Sequence, residues 1–503
     1  MWSRLLALIA MVSAATAADA EWLKARSRHF IIYSDTREAE LREMATRLER
    51  FDGAVRKLYG MSDPDEVAAN PLTIYVATSA SEVERLAGRA DVAGFYQPRA
   101  TGAIAFTPRR GRGDGPGALN PQIVLFHEYG HHLLLGAGAA AMPAWYSEGA
   151  AELVATARVE PGFVQFGHAA NHRAAGLLHY HELPLTTLFA PAKPLQGQEL
   201  DQLYGRGWLL THYVTFNAER APQMVKYLRA FASGTPPLEA AQQSFGDLKQ
   251  LDRELDKYVR GRLWGITFND SDLPAVKVDL RPLTAGERAL IGMRMISERG
   301  VNDKTAPPLY ARALKAGVPA DDAVAQGWLA EMAYDAKQDA EAEAAADRAL
   351  AADPRSVQAL LYKARVRLRR AAQADVKDPA VWKEARSWII KANRVENNHA
   401  GALSLFHESF AMAREKPSPA AVAGVHRALE LMPQAPALRY AVARQDLSDG
   451  KFADARRVLT PLAYSPHAGP DNPARRLIAL IDAGRPAEAA TGTVAAESTA
   501  TPD

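Results

Sequence analysis

Residues 123–135 read IVLFHEYGHHLLL, an apolar run that contains three histidines and one glutamate. His127 and His131 are four residues apart, so on a helix both imidazoles project from the same face, one turn apart. Two neutral ring nitrogens held in this way suit a tetrahedral zinc ion, and Glu128 beside them suits a general base. The pattern His-Glu-x-x-His therefore predicts metal-assisted hydrolysis. The competing interpretation is a helix whose histidines bond to neighbouring backbone groups.

A zinc site with an open position needs a third protein ligand. The longer motif with a third histidine is excluded, because Leu134 and Ala137 stand where that motif has glycine and histidine. The alternative is a glutamate from a following helix, which gives a site of two histidines and one glutamate. The segment 143–155, PAWYSEGAAELVA, supplies Glu148 and, one helical turn later, Glu152.

Together these segments resemble the gluzincin zinc metallopeptidases, specifically the peptidase-MA-like branch. In that branch a helix reading Trp-x-x-Glu-Gly-x-x-Glu follows the zinc-binding helix. The resemblance implies that Glu148 is the third zinc ligand and that Glu152 supports a ligating histidine. A metal-bound imidazole usually donates its other N–H to a carboxylate, which agrees with this division of roles. Two alternatives stay open: the glutamates exchange roles, or Glu152 is a solvated helix residue.

The segment 201–214, DQLYGRGWLLTHYV, resembles the gluzincin pattern Tyr-x-Lys-Gly followed by an apolar helix. The resemblance implies that Tyr204 hydrogen-bonds the oxyanion formed during peptide hydrolysis, with Arg206 where lysine is usual. Stabilising charge as it develops is typically a large catalytic effect. The alternative is a core tyrosine whose hydroxyl only satisfies a backbone group.

The remaining histidines near these segments are predicted to have structural or surface roles: His132, His168, His172, His179 and His181. His132 is rotated by about 100° from the histidine before it and should not reach the metal. No glutamate accompanies His168 and His172 in the sequence, although they are four residues apart.

The sequence predicts strands and helices before and after the helix that contains His127 and His131. Asn120 and Pro121 suit the N-cap and first position of that helix, and more helices follow to about residue 268. Alternating apolar residues predict strands at 29–35 and 71–77 and a strand pair in 92–99 and 102–108, and a helical period predicts a helix over 36–59. The expected fold is an α+β zincin-like metallopeptidase domain, a small sheet plus helices, over 21–268.

The second half of the chain has a different texture. Residues 269–285 suggest a linker, and alanine-rich helices follow over 286–487 in a loose repeat of about 35 residues. This period resembles tetratricopeptide repeats and predicts an all-α solenoid; a non-repetitive helical bundle is the alternative. The small and polar tail, 488–503, is predicted to be disordered.

The first 20 residues predict a cleaved secretory signal peptide. Arg4 precedes the apolar core 5–12, and small residues at 15–17 suit a cleavage site. An N-terminal membrane anchor is the alternative, but spanning a bilayer takes about 20 apolar residues. The chain has no cysteine, so neither a lipidated cysteine nor a disulfide is expected. The mature protein is therefore predicted to be soluble, without a transmembrane segment, and periplasmic or secreted.

The predicted function is an exported peptidase with one zinc ion on His127, His131 and Glu148 and with Glu128 as general base. The substrate is a peptide or protein, and the helical repeats would recruit a protein partner or the substrate. Aminopeptidase members bind the free amino terminus through Gly-x-Met-Glu-Asn on an edge strand, and 102–108 has no glutamate, which favours an endopeptidase. A near balance of 60 basic and 58 acidic residues argues against nucleic-acid binding. The alternative is a catalytically weak or inactive scaffold that acts through its repeats.

Overall fold

The computed structural model describes residues 21–90, 92–111, 120–136, 142–179, 182–465, 469 and 471–491. The predicted signal peptide and most of the predicted tail lie outside the described residues. In the part of the chain that is described, no helix combines the length and the apolar character needed to cross a membrane. The architecture is mixed α/β, with a small sheet, many helices and a helical C-terminal region.

The described residues form two sheets. The strands are β1 (Leu23–Arg26), β2 (Phe30–Ser34), β3 (Leu72–Ala77), β4 (Phe95–Gln97), β5 (Ile104–Pro108), β6 (Arg158–Glu160), β7 (Phe163–Phe166), β8 (Ile266–Asn269) and β9 (Asp279–Pro282). The larger sheet has the order β4-β5-β3-β2-β1-β9, and the smaller has the order β6-β7-β8. The pairs β2–β3 and β3–β5 are parallel, and the other pairs are antiparallel. Strands β2 to β5 confirm the predicted strands.

Of the helices of the N-terminal half, the first three pack against the larger sheet. The helices of this half are α1 (Glu38–Tyr59), α2 (Ala80–Ala87), α3 (Pro121–Gly136), α4 (Ala144–Ala155), α5 (Ala174–Leu178), α6 (Leu185–Phe189), α7 (Gln198–Phe216), α8 (Ala221–Ala232), α9 (Pro237–Phe245) and α10 (Leu248–Val259). Short 3₁₀ helices occupy Asp65–Ala69, Asn171–Arg173 and Asp270–Asp272. The predicted helix over 36–59 and the predicted helix that begins at Pro121 are confirmed as α1 and α3.

The C-terminal half is helical throughout its described residues. Its helices are α11 (Ala285–Arg299), α12 (Ala306–Lys315), α13 (Ala323–Asp335), α14 (Asp339–Ala352), α15 (Val357–Gln373), α16 (Pro379–Val395), α17 (Ala400–Met412), α18 (Pro419–Leu431), α19 (Pro436–Ser448), α20 (Phe452–Ala463), α21 (Pro473–Asp482) and α22 (Pro486–Thr491). Consecutive helices pack against each other along the chain. We call this part the helical region.

The turns of the helical region recur in one form. The second residue after the first helix of a pair has a positive φ, namely 59° at Lys337, 45° at Asp375, 55° at Arg414 and 74° at Gly450. Each turn closes with the same backbone hydrogen bond, for example from the N–H of Gln338 to a carbonyl at the end of α13. Repeated helical hairpins explain the periodic sequence. Their identity as tetratricopeptide repeats stays a prediction.

The segment predicted as a linker is not a free connector. Residues 279–282 form β9, which pairs antiparallel with β1 at the edge of the larger sheet. The sequence of β9 is DLRP, with two charged residues. Short, charged strands are common at sheet edges because they discourage pairing with other chains, and such a strand lacks the alternating apolar pattern that a prediction needs. The domain boundaries themselves stay a prediction.

The larger sheet is covered on both faces. Ile32 and Ile74 are buried in one cluster with apolar residues of α1 and α3. Tyr33 and Tyr75 point to the other face, as the two-residue period of strands requires, and are buried with apolar residues of α11 to α15. The ring of Trp328 on α13 meets the ring of Tyr33 edge-on, with centroids 6.0 Å apart. The helical region and the sheet therefore share one core.

Candidate metal centre

The metal helix α3 begins where the sequence predicts. The side-chain oxygen of Asn120 accepts a hydrogen bond (2.9 Å) from a backbone N–H of the first turn, and Pro121 holds the first helical position. The ring of Phe126 stacks on a phenylalanine ring of α1, with centroids 3.8 Å apart. This packing fixes α3 so that His127 and His131 face α4.

Three glycines allow α3, α4 and α7 to approach closely. A β-carbon added to Gly130 of α3 would lie 2.7 Å from a methyl carbon of Val154 on α4. One added to Gly149 of α4 would lie 2.2 Å from the carbonyl oxygen of Gly207 on α7. One added to Gly207 would lie 2.6 Å from the carbonyl oxygen of Trp145 on α4. Because these separations are far below van der Waals contact, only glycine permits this packing.

Glu148 reaches from α4 to the two histidines of α3. Its Oε2 lies 3.3 Å from Nε2 of His127 and 3.3 Å from Nε2 of His131. The two Nε2 atoms are 3.1 Å apart. The Glu148 side chain is fully buried, whereas those of His127 and His131 are 15% and 10% exposed. These three residues therefore form a buried group that can hold one metal ion.

The separations of these three atoms suit a tetrahedral ion. Bonds of about 2.0–2.1 Å at tetrahedral angles place ligand atoms about 3.3 Å apart, and the observed separations are 3.1, 3.3 and 3.3 Å. Two imidazole nitrogens and one carboxylate oxygen are the protein ligands of one type of catalytic zinc site, in which the fourth position is left to water or substrate.

Each of the two histidines has a partner at its other ring nitrogen. Nδ1 of His127 lies 3.6 Å from Oε1 of Glu152, and Nδ1 of His131 lies 3.4 Å from Oγ of Ser147. Glu152 and Ser147 are both buried residues of α4. Such contacts fix the orientation of ligating rings. Ser147 is absent from the sequence prediction, because a serine inside a helix carries no signal for this contact.

Glu152 is held from its far side by two consecutive residues. His172 donates to Oε2 of Glu152 (2.6 Å), and Arg173 donates to Oε1 from Nε (3.0 Å) and Nη2 (2.6 Å). Both residues lie on the 3₁₀ helix that follows β7. His172 thus contacts a glutamate of another element, which the sequence around His172 does not show. The same long separation along the chain hid Arg173 from sequence reasoning.

Burial and these partners set the charges of the cluster. Burial opposes ionisation of Glu152, but the hydrogen bond from His172 and the charges of His127 and Arg173 outweigh it and lower the pKa of Glu152 to about 2. Burial also lowers the pKa of His127, but the hydrogen bond with Glu148 and the charge of Glu152 prevail and raise it to about 9. Glu152 therefore stays ionised near neutral pH and favours positive charge on the His127 ring.

Glu128 and Tyr204 stand beside the three ligand residues. Glu128 is half-buried on α3, and the ring of Tyr204 on α7 lies 6.2 Å from the His127 ring between centroids. Burial, followed by the charge of Glu148, raises the pKa of the Tyr204 hydroxyl, and the charge of Glu128 acts in the same direction. The hydroxyl therefore keeps its proton near neutral pH and remains a hydrogen-bond donor.

Arg206 does not belong to the cluster. Its guanidinium donates to Asp252 of α10 (2.6 Å), and the residue is 3% exposed. Arg206, which stands where the gluzincin pattern Tyr-x-Lys-Gly has lysine, thus joins α7 to α10.

His132 contacts other partners than the two histidines before it, as its rotation on the helix predicts. Its Nδ1 accepts hydrogen bonds from the hydroxyl of Tyr96 on β4 (2.8 Å) and from the amide of Gln434 in the helical region (3.2 Å). Burial lowers the pKa of His132 to about 3, so the ring is neutral. His179 is exposed, and His181 lies outside the described residues.

No family model matches this chain, and no curated protein is significantly similar to it. The likeness to gluzincin peptidases and to tetratricopeptide repeats is therefore one of motifs and spacing. The proximity of His127, His131 and Glu148 does not depend on that likeness, because it is given by the distances between their side-chain atoms.

Proposed function

We propose that the protein is a zinc-dependent peptidase that hydrolyses internal peptide bonds. The observation that carries the proposal is the convergence of His127, His131 and Glu148 from two helices. Burying a carboxylate against two imidazoles is unfavourable unless a cation or protons offset the desolvation. One zinc ion would neutralise the carboxylate and accept the nitrogen lone pairs at the same time.

The surrounding residues support a division of catalytic roles. A zinc ion bound here would supply a Lewis acid that polarises a carbonyl and makes water a nucleophile near neutral pH. Glu128 takes the proton from the attacking water and passes it to the leaving amine. Tyr204 donates a hydrogen bond to the oxyanion of the transition state. Glu152 and Ser147 keep the ligating rings in place.

An endopeptidase suits this chain better than an aminopeptidase. The resembling aminopeptidases bind a free amino terminus through a glutamate on an edge strand. In the described sheet, β4 is the edge strand nearest α3 and reads FYQ, and its neighbour β5 reads IAFTP. Neither strand offers a carboxylate to an ammonium group. Because these two strands offer no partner for a free amino terminus, we propose cleavage of internal bonds.

The helical region is proposed to orient a protein substrate or partner beside the metal centre. Support comes from Gln434, whose amide donates to His132, the residue after the ligand His131. The helical region thus reaches the helix that carries the metal ligands. Partner binding is also the basis of the competing proposal, in which the chain is an exported scaffold with a weak or inactive site.

The proposed place of action is outside the cytoplasm, in the periplasm or the medium. Support comes from the sequence of residues 1–20, with a positive charge, an apolar core and small residues in that order.

Cleavage of an unbiased peptide library by the purified full chain tests the peptidase proposal. Internal cleavage is expected with zinc and is expected to stop after chelation. Tyr204→Phe is expected to slow cleavage about 10²–10³-fold while zinc stays bound. Tyr213→Phe is the matched control, because that hydroxyl lies on the same helix but donates to Glu254 of α10 (3.0 Å). Bound zinc without cleavage of any peptide would favour the scaffold.

A further inference from the structure

Arg173 contacts both Glu152 and Tyr204. Its Nε and Nη2 donate to one carboxylate oxygen of Glu152, at 3.0 and 2.6 Å. The same guanidinium lies 4.5 Å from the centroid of the Tyr204 ring. Its Nη1 donates to Asp201 of α7, at 3.2 Å. One side chain therefore joins the carboxylate behind His127 to the helix that carries the proposed oxyanion donor.

The geometry uses properties that are specific to arginine. A guanidinium is planar, presents several donors in a fixed fork, and stacks on aromatic rings with its charge retained. Here the fork serves Glu152 and Asp201, while the guanidinium also lies over the Tyr204 ring. A lysine ammonium has the charge but not the plane, so it cannot meet all of these contacts at once.

The backbone around Arg173 is packed closely enough to hold this geometry. A β-carbon added to Gly176 of α5 would lie 2.3 Å from Oδ2 of Asp201. One added to Gly205 of α7 would lie 3.1 Å from Leu177 and 3.7 Å from the β-carbon of Arg173. Glycines thus let the segment 171–178 lie directly on the first half of α7. The position of Arg173 is consequently tied to that of Tyr204.

We propose that Arg173 is a positioning residue that fixes Glu152 behind the ligand His127 and, at the same time, fixes the ring of Tyr204. The half that concerns Tyr204 rests on the proposed peptidase function, whereas the half that concerns Glu152 needs only metal binding. Loss of Arg173 should therefore lower both the affinity for the metal and the rate of turnover. A residue that only stabilised the fold would change neither once the protein is folded.

The first test measures metal affinity and needs no activity. Zn²⁺ is titrated into the metal-free full chain in competition with a chromophoric chelator. Arg173→Gln is expected to bind Zn²⁺ about 10–100-fold more weakly, the usual effect of losing an outer partner of a ligand. Arg173→Lys is expected to fall between that variant and the wild type. Arg262→Gln, at an exposed position after α10, is the matched control and is expected to bind like the wild type.

A double-mutant cycle separates positioning from general stability. If Arg173 acts through Glu152, the variant that combines Glu152→Gln with Arg173→Gln should bind Zn²⁺ no more weakly than Glu152→Gln alone. In Arg173→Gln alone, the buried Glu152 carboxylate has lost its guanidinium partner. The double variant removes that carboxylate as well. Additive losses, or wild-type affinity in folded Arg173→Gln, would overturn the proposal.

The second test concerns the half of the proposal in which Arg173 positions Tyr204. On a peptide that the wild type cleaves, with Zn²⁺ at saturation, Arg173→Gln is expected to lower kcat at least 10-fold with KM nearly unchanged. In a Tyr204→Phe background the same substitution should have a smaller effect on kcat. An equal effect in both backgrounds would overturn the role of Arg173 in positioning Tyr204. If the chain cleaves no peptide but Arg173→Gln binds Zn²⁺ more weakly, the peptidase proposal is rejected and the role of Arg173 in positioning Glu152 stands.

Discussion

Gly149 packs directly on Gly207, so that the backbones of α4 and α7 touch where the two helices cross. Glu148 immediately precedes the first of these glycines, and Tyr204 lies one turn before the second. The crossing point therefore sets how far the third metal ligand lies from the proposed oxyanion donor. A similar contact between Gly130 and Val154 sets the distance between α3 and α4.

Gly149→Ala is expected to separate α4 from α7 and to damage the metal centre. Extra methyl groups in a packed interior destabilise by about 1–3 kcal/mol or more, and here the added carbon would meet backbone atoms that cannot rotate away. Thermal unfolding and Zn²⁺ titration measure the two effects. Gly292→Ala on α11 is the matched control, because nothing lies within 4 Å of its added carbon. Equal unfolding temperatures and Zn²⁺ affinities in both variants would show that the crossing is not critical.

Glu128→Gln is expected to separate metal binding from chemistry. The amide is nearly isosteric with the carboxylate but cannot accept the proton of the attacking water. The variant should therefore bind as much zinc as the wild type and cleave peptides about 10²–10⁴-fold more slowly. Zinc analysis and peptide cleavage on the same preparation provide the comparison. Unchanged cleavage would remove Glu128 from the role of general base.

The grouping of the three candidate metal ligands could be predicted because their signals are local. His127 and His131 obey the helical period, and the Glu148 to Glu152 spacing repeats it on the next helix. Their partners could not be predicted in the same way. Arg173 comes from a 3₁₀ helix well beyond α4, and only the fold brings it back to Glu152. Local periodicity contains no information about such a contact.

The fold shows the same division between local and distant information. Strands β2, β3 and β5 are buried on both faces and have strongly apolar sequences, so they were predictable. Strands β1 and β9 are short and charged, and they lie at opposite ends of the N-terminal half, so their pairing cannot be read from local sequence. The cover that the helical region provides for Tyr33 and Tyr75 is also a distant contact, and the sequence gives no sign of it.

A chain that ends at residue 283 is expected to unfold or aggregate. Without the helical region, the face of the sheet that carries Tyr33, Tyr75 and Phe106 would meet water. Each aromatic side chain buries about 150–250 Å², worth about 25 cal/mol per Å², so the combined loss is comparable to a typical total stability of about 5–15 kcal/mol.

Circular dichroism and zinc content of the shortened chain check this expectation. The matched control ends at residue 465 and loses only α21 and α22, whose main contacts are with α19 and α20. That chain should remain folded and bind zinc. A chain ending at residue 283 that is folded and monomeric would mean that the helical region is a separable module.

The stability of the protein is expected to fall in mild acid, in part through His212. This buried ring donates to the carbonyl of Gly167 (3.1 Å) and accepts from the hydroxyl of Tyr258 (2.9 Å). Burial lowers the pKa of His212 to about 4, against about 6.5 in an unfolded chain. Between these values the unfolded chain binds a proton that the folded chain does not, so the free energy of unfolding decreases as the pH falls from about 6.5 to about 4.

His212→Gln isolates this contribution from those of other buried histidines. The wild type should be more stable than the variant at pH 7, because the variant loses hydrogen bonds of the ring. That difference in the free energy of unfolding should shrink between pH 6.5 and pH 4.5, where only the wild type has the proton-linked loss at this position. Urea denaturation at several pH values measures it. A difference that stays constant with pH would show that His212 is not the responsible group.

Zinc content of the purified wild type, compared with that of Glu148→Gln, shows whether Glu148 and the two histidines hold a metal ion. The three ligand atoms lie within 3.3 Å of one another, and Glu148 is the one that joins α4 to the two histidines of α3. We expect one zinc ion per chain in the wild type and almost none in a folded Glu148→Gln variant after dialysis against a weak chelator. A wild type that binds no divalent metal would rule out the proposed metal site. A variant that retains zinc as tightly as the wild type would rule out Glu148 as a ligand.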